Sequence, residues 1–398
     1  MKILYDFQIF TQQRFGGISR YFNELINKLP SKNDCEIDIG FKYSENFYLN
    51  NSEAGKLLEN PPDLSAINEY KNFLHGFHFK GKGRLFNLVR KLRNRETCDF
   101  SKVNFNSSNE NISVTLQKVI SGDYDILHPT YYDPYFLEHI DNKPYVITVF
   151  DFIHEIFPEY FPLSDPTSIY KKKILGKASK LIAISEQTKM DLIKFYEIPE
   201  DKVDVVYLSA SLTKEHTSEV KLPDKFIFYV GGRLQYKNFY FLIRAVQKFI
   251  KKHQEFYIVC CGGGSFTEEE RQYFKEIGIN SKIIHLSPSD KELSYIYQRA
   301  NVFVYPSLYE GFGIPVIEAF RTGAPTLLSN TPCFKEVAKD NVFYFEPKSI
   351  KSLVDSLEKA VFDKSERQKK VNSAYKRAKD FSWERTVKET IKVYQSIL

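Results

Sequence analysis

The chain has 398 residues, of which 42% are hydrophobic and 15% aromatic. A chain of this length usually folds into two domains, and so high an apolar content supplies packed cores and excludes extensive disorder. The 56 lysines and arginines exceed the 50 aspartates and glutamates by six, an excess too small to indicate a nucleic-acid-binding protein.

The cysteines and the first residues indicate the compartment. The five cysteines form no C-x-x-C pair, and Cys260 and Cys261 lie inside an apolar run, so reduced and buried thiols of a cytoplasmic protein are expected. The opening residues MKILYDFQIF have the pattern of a strand and no cleavage site, which does not fit a signal peptide. No apolar run approaches the roughly 18 residues of a membrane span, so any membrane contact is expected to be peripheral.

Short apolar runs alternate with longer helical patterns along the whole chain. The first half contains the strand-like runs KILYDF, YDILHP, PYVITVFDF, KLIAIS and VDVVYLS, and the second half contains FIFYVGG, FYIVCCGGG, KIIHLS and NVFVYPS. Alternation of this kind predicts an α/β protein with parallel sheets covered by helices, here as two Rossmann-like doubly wound domains.

A polar stretch without apolar periodicity separates the two halves and ends in Pro223. We therefore place the domains at 1–210 and 225–380, with a linker at 211–224. The remaining segment, 381–398, has a helical pattern with Trp383, Val387, Ile391 and Tyr394 on one face. This helix is expected to cap a domain or to cross back onto the first one.

A glycine pair follows the first predicted strand and leads into a helix, in the segment TQQRFGGISRYFNEL. Gly16 and Gly17 would allow the backbone to approach a phosphate closely. Glycine pairs are also common in ordinary loops. The pair is informative because further ligand features occur in the other predicted domain.

The segment FKGKGRLFNLVRKLRNR, 79–95, carries many cations and no acid. The cations Lys80, Lys82, Arg84, Arg90, Lys91, Arg93 and Arg95 accompany the apolar residues Leu85, Phe86, Leu88, Val89 and Leu92. This composition favours an interfacial helix on an anionic membrane through 80–95, and the alternative is a domain helix with a solvated face.

Two cations follow a glycine turn in FIFYVGGRLQYKNF. Arg233 and Lys237 lie four residues apart after Gly231 and Gly232, at the end of a predicted strand. Their type and position predict a clamp for a diphosphate group. The alternative is a solvated pair at a helix entrance.

Two glutamates flank a glycine turn in YEGFGIPVIEAF, 309–320. Glu310 is expected in the loop after a buried strand, where doubly wound domains bind ligands. Pro315 suits the first helical position and Gly323 the helix stop, which places Glu318 in the first turn. There it either complements the helix dipole or accepts hydrogen bonds from two neighbouring hydroxyls, as on a ribose.

These motifs resemble those of the retaining glycosyltransferases of family four, which have the GT-B fold of two facing Rossmann-like domains. The resemblance covers nearly the whole chain through GGISRY, VFDFIHEIFPEYF, VGGRLQYKNF, YEGFGIPVIEAF, GAPTLLSN and FSWERT. Its most specific part is the E-x7-E element formed by Glu310 and Glu318. The implied C-terminal helix crosses back to the first domain.

The resemblance implies a role for each matching residue. Glu318 is expected to hold the ribose hydroxyls of a nucleotide sugar, and Glu310 to lie near the transferred sugar. Arg233 and Lys237 resemble the pair that neutralises the departing diphosphate. The other expected donor-binding residues surround the diphosphate, the sugar or the base: Gly16, Gly17, Gly232, Gly311, Phe312, Gly313, Ile314 and Leu286.

The middle motif departs from the family pattern. Many relatives carry a histidine directly before the aspartate, whereas this chain has Phe150 before Asp151. His154, three residues further on, either supplies the missing contact or serves the local fold. Asp151 and His154 are the catalytic candidates of this motif, and the weaker acceptor-site candidates are His128, Tyr131 and Tyr132.

The expected activity is transfer of a hexose, with retention and without metal or cofactor, from a nucleoside-diphosphate sugar, with GDP-mannose guessed, to a glycan acceptor. The acceptor is expected to be lipid-linked, at the inner face of the membrane, in bacterial surface polysaccharide synthesis. The D-x-D spelling Asp123-Tyr124-Asp125 precedes a strand, so it is interpreted as a turn. The alternatives are a GT-B phosphorylase or epimerase, or a non-catalytic sugar-nucleotide-binding partner.

Overall fold

The computed structural model of the protein describes residues 1–31, 35–60, 82–93, 106–215 and 217–398. By its internal contacts the chain divides into two units. Unit 1 consists of Met1–Thr130 and Tyr135–Lys143, and unit 2 consists of Tyr131–Pro134 and Pro144–Leu398. The predicted linker at 211–224 lies inside unit 2, and the predicted domain limits stay a prediction.

Unit 1 contains a parallel sheet of three strands, β1 (Lys2–Tyr5), β2 (Glu36–Ile39) and β3 (Ile126–His128), in the order β2-β1-β3. Its helices are α1 (Gln8–Gln12), α2 (Gly17–Lys28), α3 (Phe47–Asn50), α4 (Lys82–Leu92) and α5 (Ser107–Ser121). Helix α2 is amphipathic and buries Tyr21, Phe22, Leu25 and Ile26. The apolar face of this helix supplies much of the unit 1 core.

The first sheet of unit 2 is also parallel and has the order β4-β5-β6. Its strands are β4 (Val146–Val149), β5 (Lys180–Ala183) and β6 (Val203–Val205). The accompanying helices are α6 (Ile153–Ile156), α7 (Thr167–Ile174) and α8 (Glu186–Tyr196).

The second sheet of unit 2 has six parallel strands in the order β12-β11-β10-β7-β8-β9. They are β7 (Phe226–Val230), β8 (Tyr257–Cys261), β9 (Ile283–Leu286), β10 (Val302–Tyr305), β11 (Thr326–Ser329) and β12 (Phe343–Phe345). The helices are α9 (Phe239–Lys252), α10 (Glu268–Glu276), α11 (Asp290–Arg299), α12 (Ile314–Thr322), α13 (Pro332–Ala338), α14 (Ile350–Phe362) and α15 (Lys364–Arg377). Successive strands move outward from β7 to β9 and then from β10 to β12, so the order reverses between β7 and β10.

The last helix, α16 (Trp383–Gln395), returns to the β4-β5-β6 sheet of the same unit. Trp383, Val387, Ile391 and Tyr394 are all buried, which confirms the predicted apolar face. Trp383 Nε1 donates to Ser211 Oγ at 2.9 Å, and the hydroxyl of Thr386 donates to the Tyr207 carbonyl at 2.7 Å. These hydrogen bonds attach the helix to the chain that follows β6.

The pairings among the described strands confirm the predicted parallel α/β class. The sequence patterns did not reveal β2, β11 and β12 as strands. Strand β2 is only partly buried and contains two acids, so its apolar signal is weak, and β12 has just three residues. Within the described ranges, no helix combines the length and the apolar composition that crossing a bilayer requires.

Candidate active site

The candidate site begins at the carboxyl ends of β7 and β10, the two strands between which the order of the six-stranded sheet reverses. Open α/β sheets bind ligands at such a switch point. The turn after β7 carries Gly231, Gly232, Arg233 and Lys237, and the loop after β10 carries Glu310. The fold therefore brings the two predicted groups of charged residues to one edge of the sheet.

Lys237 and Glu310 form an ion pair at this edge. Lys237 Nζ lies 2.7 Å from Glu310 Oε1 and 3.3 Å from the Tyr305 hydroxyl. The two charged side chains are only 15% and 10% exposed, so the pair is largely removed from water. Burial, with the charge of Glu310, raises the pKa of Tyr305 well above its ordinary value, which keeps this hydroxyl protonated. The arrangement holds one cation in a fixed position.

Arg233 has different partners. Its Nε donates to Glu270 Oε1 at 2.6 Å, and its Nη atoms donate to the carbonyls of Gly262, Gly264 and Ser265 at 3.0–3.1 Å. The side chain is 8% exposed. Arg233 thus fastens the glycine turn after β8 to α10. A contact with a diphosphate would compete with these bonds, and the clamp role of Arg233 stays a prediction.

Glu318 lies in the second turn of α12, because the helix begins at Ile314, directly after Gly313. The predicted place in the first turn is wrong, and with it the explanation of Glu318 by the helix dipole loses its basis, since that effect is confined to the first turn. Pro315 is likewise the second helical residue, while Gly323 ends the helix with a φ of 82°, as expected.

The carboxylate of Glu318 is held from the neighbouring helix. Tyr297 of α11 is fully buried, and its hydroxyl donates to Glu318 Oε2 at 3.1 Å. A buried carboxylate is stable only with hydrogen-bond donors around it, so Tyr297 fixes the orientation of Glu318. Tyr297 was not among the predicted site residues, since a tyrosine in a helical pattern indicates a core position.

The loop Gly311–Gly313 packs against the segments that follow β4 and β5. The carbonyl of Gly311 accepts a hydrogen bond from Ser185 Oγ at 2.6 Å and one from Thr188 Oγ1 at 3.3 Å. A Cβ atom at position 311 would lie 1.6 Å from the carbonyl oxygen of Phe150. Only glycine fits this approach, because any side chain would overlap the Phe150 backbone.

The loop is also held at both of its ends. The Tyr309 hydroxyl donates to Asp191 Oδ2 of α8 at 2.7 Å. Phe312 is buried against Tyr207 and Phe381, and the adjacent Ile314 begins α12. Glu310 is thereby carried on a loop with fixed backbone, as a preorganised site requires.

Asp151 and His154 follow β4, next to this loop. The Asp151 carbonyl accepts a hydrogen bond from the buried Lys171 Nζ at 2.8 Å. His154 stacks on Phe161, and its Nε2 lies 3.5 Å from Asp165 Oδ2. Among the described residues, His154 Nδ1 is buried without a hydrogen-bond partner. The structure thus places Asp151 beside the Glu310 loop, while the contacts of His154 are made with its own segment.

Tyr236 lies near the carboxylates of both Glu310 and Asp151. This buried tyrosine precedes Lys237, and its ring stacks at 6.3 Å on Phe157. Burial first, and then the nearby charges of Glu310 and Asp151, raise the pKa of Tyr236. Both carboxylates therefore lie within electrostatic reach of one hydroxyl, an arrangement that no sequence spacing indicated.

The predicted acceptor residues lie in different surroundings. His128 is fully buried in unit 1, between the rings of Tyr5 and Phe22, and burial lowers its pKa to about 3. Contact between His128 and an acceptor would require this core to open. In unit 2, the buried Tyr132 accepts a hydrogen bond from the Phe150 amide at 3.2 Å, and the ring of Tyr131 packs on it.

The other predicted donor residues are distributed over both units. Gly16 and Gly17 lie at the start of α2, where Gln13 Oε1 fills the space next to Gly16 and accepts from the Ser19 amide. Gly232 has open space where a Cβ would be. Leu286 is the last residue of β9. The roles of these residues stay predictions.

The D-x-D spelling occupies the turn between α5 and β3. The Asp123 carboxylate accepts from Lys2 Nζ and the Asp125 carboxylate from the Lys2 amide, both at 2.7 Å. Each aspartate thus stabilises the start of β1, at the amino end of the unit 1 sheet.

The parallel α/β sheets and the switch-point site match the GT-B fold. The solved structure of Anabaena Alr3699/HepE in complex with UDP and glucose superposes with a TM-score of 0.68, covers 100% of both chains and is 16% identical, so it supports the fold. The family described as Glycosyltransferase Family 4 matches residues 15–213, and Glycosyl transferases group 1 matches residues 213–377. The chain belongs to these group 1, family 4 glycosyltransferases.

Two curated relatives act on O-antigen chains. The O-antigen chain mannosyltransferase RfbU of Salmonella typhimurium is 28% identical over 205 residues, which are 50% of this chain and 57% of the relative. The O-antigen chain mannosyltransferase B of Escherichia coli is 26% identical over 289 residues, which are 69% of this chain and 74% of the relative. The protein is therefore an enzyme related to O-antigen mannosyltransferases.

Proposed function

We propose that the protein transfers a hexose from a nucleoside-diphosphate sugar to a glycan acceptor in bacterial surface polysaccharide synthesis, with retention of the anomeric configuration and without a metal ion. The two O-antigen mannosyltransferases among its relatives make mannose the first candidate sugar and GDP-mannose the first candidate donor. The reaction belongs to the E-x7-E site around Glu310 and Glu318.

The buried Lys237–Glu310 pair is the observation that carries this proposal. Breaking a sugar–diphosphate bond builds negative charge on the departing phosphate, and a positioned cation in a water-poor site stabilises that charge best. Lys237 supplies the cation, in the place where a metal ion would otherwise serve. Because Glu310 is already paired with Lys237, we assign it to orienting the transferred sugar and not to attacking it.

The other residues bind and position the donor. Glu318, held by Tyr297, is proposed to accept hydrogen bonds from the ribose hydroxyls. The fixed loop from Gly311 to Gly313 is proposed to present backbone N–H groups to the sugar and diphosphate. In a retaining reaction of this type the acceptor approaches on the leaving-group face, where the departing phosphate oxygen can take its proton.

A donor panel tests the proposal. We would measure the thermal shift of the protein with GDP, UDP, dTDP, ADP and CMP and their sugar conjugates, with and without EDTA, and then transfer from the best conjugate to a mannose oligosaccharide. A rise of several degrees with one nucleotide, unchanged by EDTA, is expected, since a ligand that binds only the folded state stabilises it. NMR of the product should show the same anomer as the donor.

The same panel distinguishes the alternatives. Nucleotide binding with no turnover of any donor would indicate a non-catalytic binding protein. Release of a sugar phosphate on adding inorganic phosphate to a glycan would indicate a phosphorylase, and conversion of the donor to another nucleotide sugar would indicate an epimerase. An inverted product would overturn the retaining mechanism alone.

We further propose that α4 contacts an anionic membrane that carries a lipid-linked acceptor. Leu85, Leu88 and Leu92, on one face of this helix, are 40%, 56% and 77% exposed, whereas Phe86 is only 1% exposed. Cations accompany the leucines at Lys82, Arg84, Lys91 and Arg93. Lys80 and Arg95 of the predicted segment lie outside the described residues. An exposed apolar face beside cations suits a membrane surface rich in anionic lipid.

Vesicle sedimentation tests this contact. The Leu85→Ser/Leu88→Ser/Leu92→Ser variant should bind anionic vesicles more weakly than the wild type, while turnover of soluble donor stays the same. Leu163→Ser, at a fully exposed leucine of unit 2, is the matched control. Unchanged vesicle binding in the triple variant would contradict the membrane contact.

A further inference from the structure

Unit 1 carries three aromatic rings in mutual contact at its surface, which we call the aromatic patch: Phe15, Phe47 and Tyr48. The ring centroids of Phe15 and Phe47 are 5.1 Å apart, and Tyr48 packs edge-on against both, at 6.4 and 5.8 Å. Phe15 is 58% exposed and Phe47 is 49% exposed. Single exposed apolar residues are ordinary, but adjoining exposed rings indicate a binding surface.

The backbone holds the patch firmly. The Phe47 amide donates to the Arg14 carbonyl at 2.9 Å, and the Asn46 side-chain amide donates to the Gln13 carbonyl at 2.5 Å. Ser44 Oγ donates to the Phe10 carbonyl at 3.1 Å. These bonds attach the segment 44–48 to the segment 10–15. The rings are therefore positioned in advance and lose little freedom when a ligand binds.

The patch adjoins the predicted ligand turn. Phe15 immediately precedes Gly16 and Gly17, which open α2. Arg14 and Arg20 border the rings, with guanidinium carbons 5.7 Å from the Phe15 centroid and 5.1 Å from the Tyr48 centroid. A guanidinium group over a ring adds hydrogen-bond donors to the edge of an apolar surface.

A polar cavity is lined in part by residues of the same two segments. It has a volume of about 230 Å³ and is lined by Thr11, Tyr43, Ser44, Glu45, Ser107 and Ser108. Five of these six side chains carry hydroxyls, which both donate and accept hydrogen bonds, and the sixth is a carboxylate. Whole ligand pockets measure roughly 300–1,000 Å³, so this cavity suits one small polar ring.

We propose that the aromatic patch and this cavity together form a carbohydrate-binding surface that holds the acceptor glycan. A sugar ring has an apolar C–H face and a rim of hydroxyls. The aromatic patch matches the apolar C–H face, while Arg14, Arg20 and the cavity match the rim of hydroxyls. The inference rests on the proposed function, because it takes the acceptor to be a glycan, and it assigns the binding of that glycan to particular residues of unit 1.

A membrane is the competing partner for exposed aromatic rings. The patch has features that fit a glycan better. Phe47 and Tyr48 sit on the four-residue helix α3, which is too short for an interfacial helix, and Phe15 lies just before α2. The patch also adjoins a cavity lined by polar groups, which an acyl surface would not use. The cluster of cations that suits a membrane lies on α4 instead.

Acceptor kinetics test the proposal with the full chain, GDP-mannose or whichever donor the panel identifies, and a soluble, lipid-free mannose oligosaccharide. The Phe15→Ala/Phe47→Ala variant should raise the acceptor KM by about tenfold or more, as the loss of two ring contacts implies. Its kcat at saturating acceptor and its donor KM should stay near wild type. Phe47→Tyr should restore the acceptor KM, since it keeps the ring.

Two further measurements keep the outcome clear. Phe362→Ala removes a phenylalanine that is similarly exposed, at 47%, in unit 2, and should leave the acceptor KM unchanged. Saturation-transfer NMR with the oligosaccharide alone should show contact with the wild type and a weaker signal for the double variant. A thermal melt establishes that the variants are folded.

The possible results distinguish a failure of the carbohydrate surface from a failure of the proposed function. An unchanged acceptor KM in a folded double variant, while the wild type transfers sugar, would overturn the carbohydrate surface alone. If the Phe15→Ala/Phe47→Ala variant lost vesicle binding but kept the wild-type acceptor KM, the carbohydrate surface would be overturned in favour of a membrane-binding surface. No transfer by the wild type with any donor would instead refute the proposed function.

Discussion

Replacing Lys171 with methionine should destabilise the protein strongly, because this residue of α7 is a buried cation. Its side chain is 1% exposed, and its Nζ lies 3.1 Å from Glu155 Oε2 and 2.8 Å from the Asp151 carbonyl oxygen. The ammonium group also faces the ring of Phe152 at 4.9 Å. Methionine has a similar length and fills the space without the charge.

The size of the destabilisation follows from the unpaired Glu155 carboxylate that the Lys171→Met substitution leaves. The Glu155 side chain is only 8% exposed, so removing its partner leaves a carboxylate buried without a countercharge. Such a change costs about 3–5 kcal/mol. The Tyr196 hydroxyl still donates to Glu155 Oε1 at 2.6 Å, which favours the lower end. At roughly 2–4 °C per kcal/mol for a domain of about 150–250 residues, we expect Tm to fall by about 6–12 °C.

Thermal unfolding followed by circular dichroism would measure this effect in a double-mutant cycle. Glu155→Gln removes the charge but keeps the shape, so Lys171→Met/Glu155→Gln should be more stable than Lys171→Met alone. A fall in kcat with soluble donor should accompany the single change, since the Asp151 carbonyl loses its donor. A Tm within about 1 °C of wild type for Lys171→Met, or a double variant no more stable than the single one, would refute the reasoning.

Three other changes test the site and the unit 1 core. Lys237→Ala should lower kcat by about 10²-fold or more, as expected when a charge-stabilising group is removed, and wild-type turnover would contradict the assignment. Gly311→Ala would place a Cβ 1.6 Å from the Phe150 carbonyl oxygen, so we expect a lower Tm and a lower kcat. Gly176→Ala, with no atom within 4 Å, should change neither quantity. Burial lowers the pKa of His128 from 6.5 to about 3, so between these values the unfolded chain binds a proton that the folded chain does not. The contribution of the neutral, buried His128 to the free energy of unfolding is fully present above pH 6.5 and falls as the pH drops, by up to about 1.4 kcal/mol per pH unit. Thermal melts from pH 7 to 5 should therefore show a smaller loss of stability for His128→Phe than for the wild type. Equal losses for the variant and the wild type would show that His128 does not titrate in this way.

The turn at Gly311 combines local sequence signals with contacts that no local signal indicates. The sequence indicated a glycine turn at the end of a buried strand, because apolar runs and glycines are local signals. It did not indicate that Ser185 and Phe150, more than a hundred positions earlier, would pack on that turn. Glu336 is a similar case, since its carboxylate accepts from the amides of Glu186 and Gln187 and so caps α8 from a distant helix.

The sequence by itself determined the parallel α/β class, the buried face of α16, the end of α12 at Gly323 and the family to which the chain belongs. Each of these features depends on periodicity or on residue types at short spacing, and such patterns can be recognised without knowledge of the fold. The tertiary structure decided which charges meet. Arg233 and Lys237 look equivalent in sequence, but Arg233 binds the turn after β8 and Lys237 pairs with Glu310, because partner choice depends on distance and burial in the folded chain.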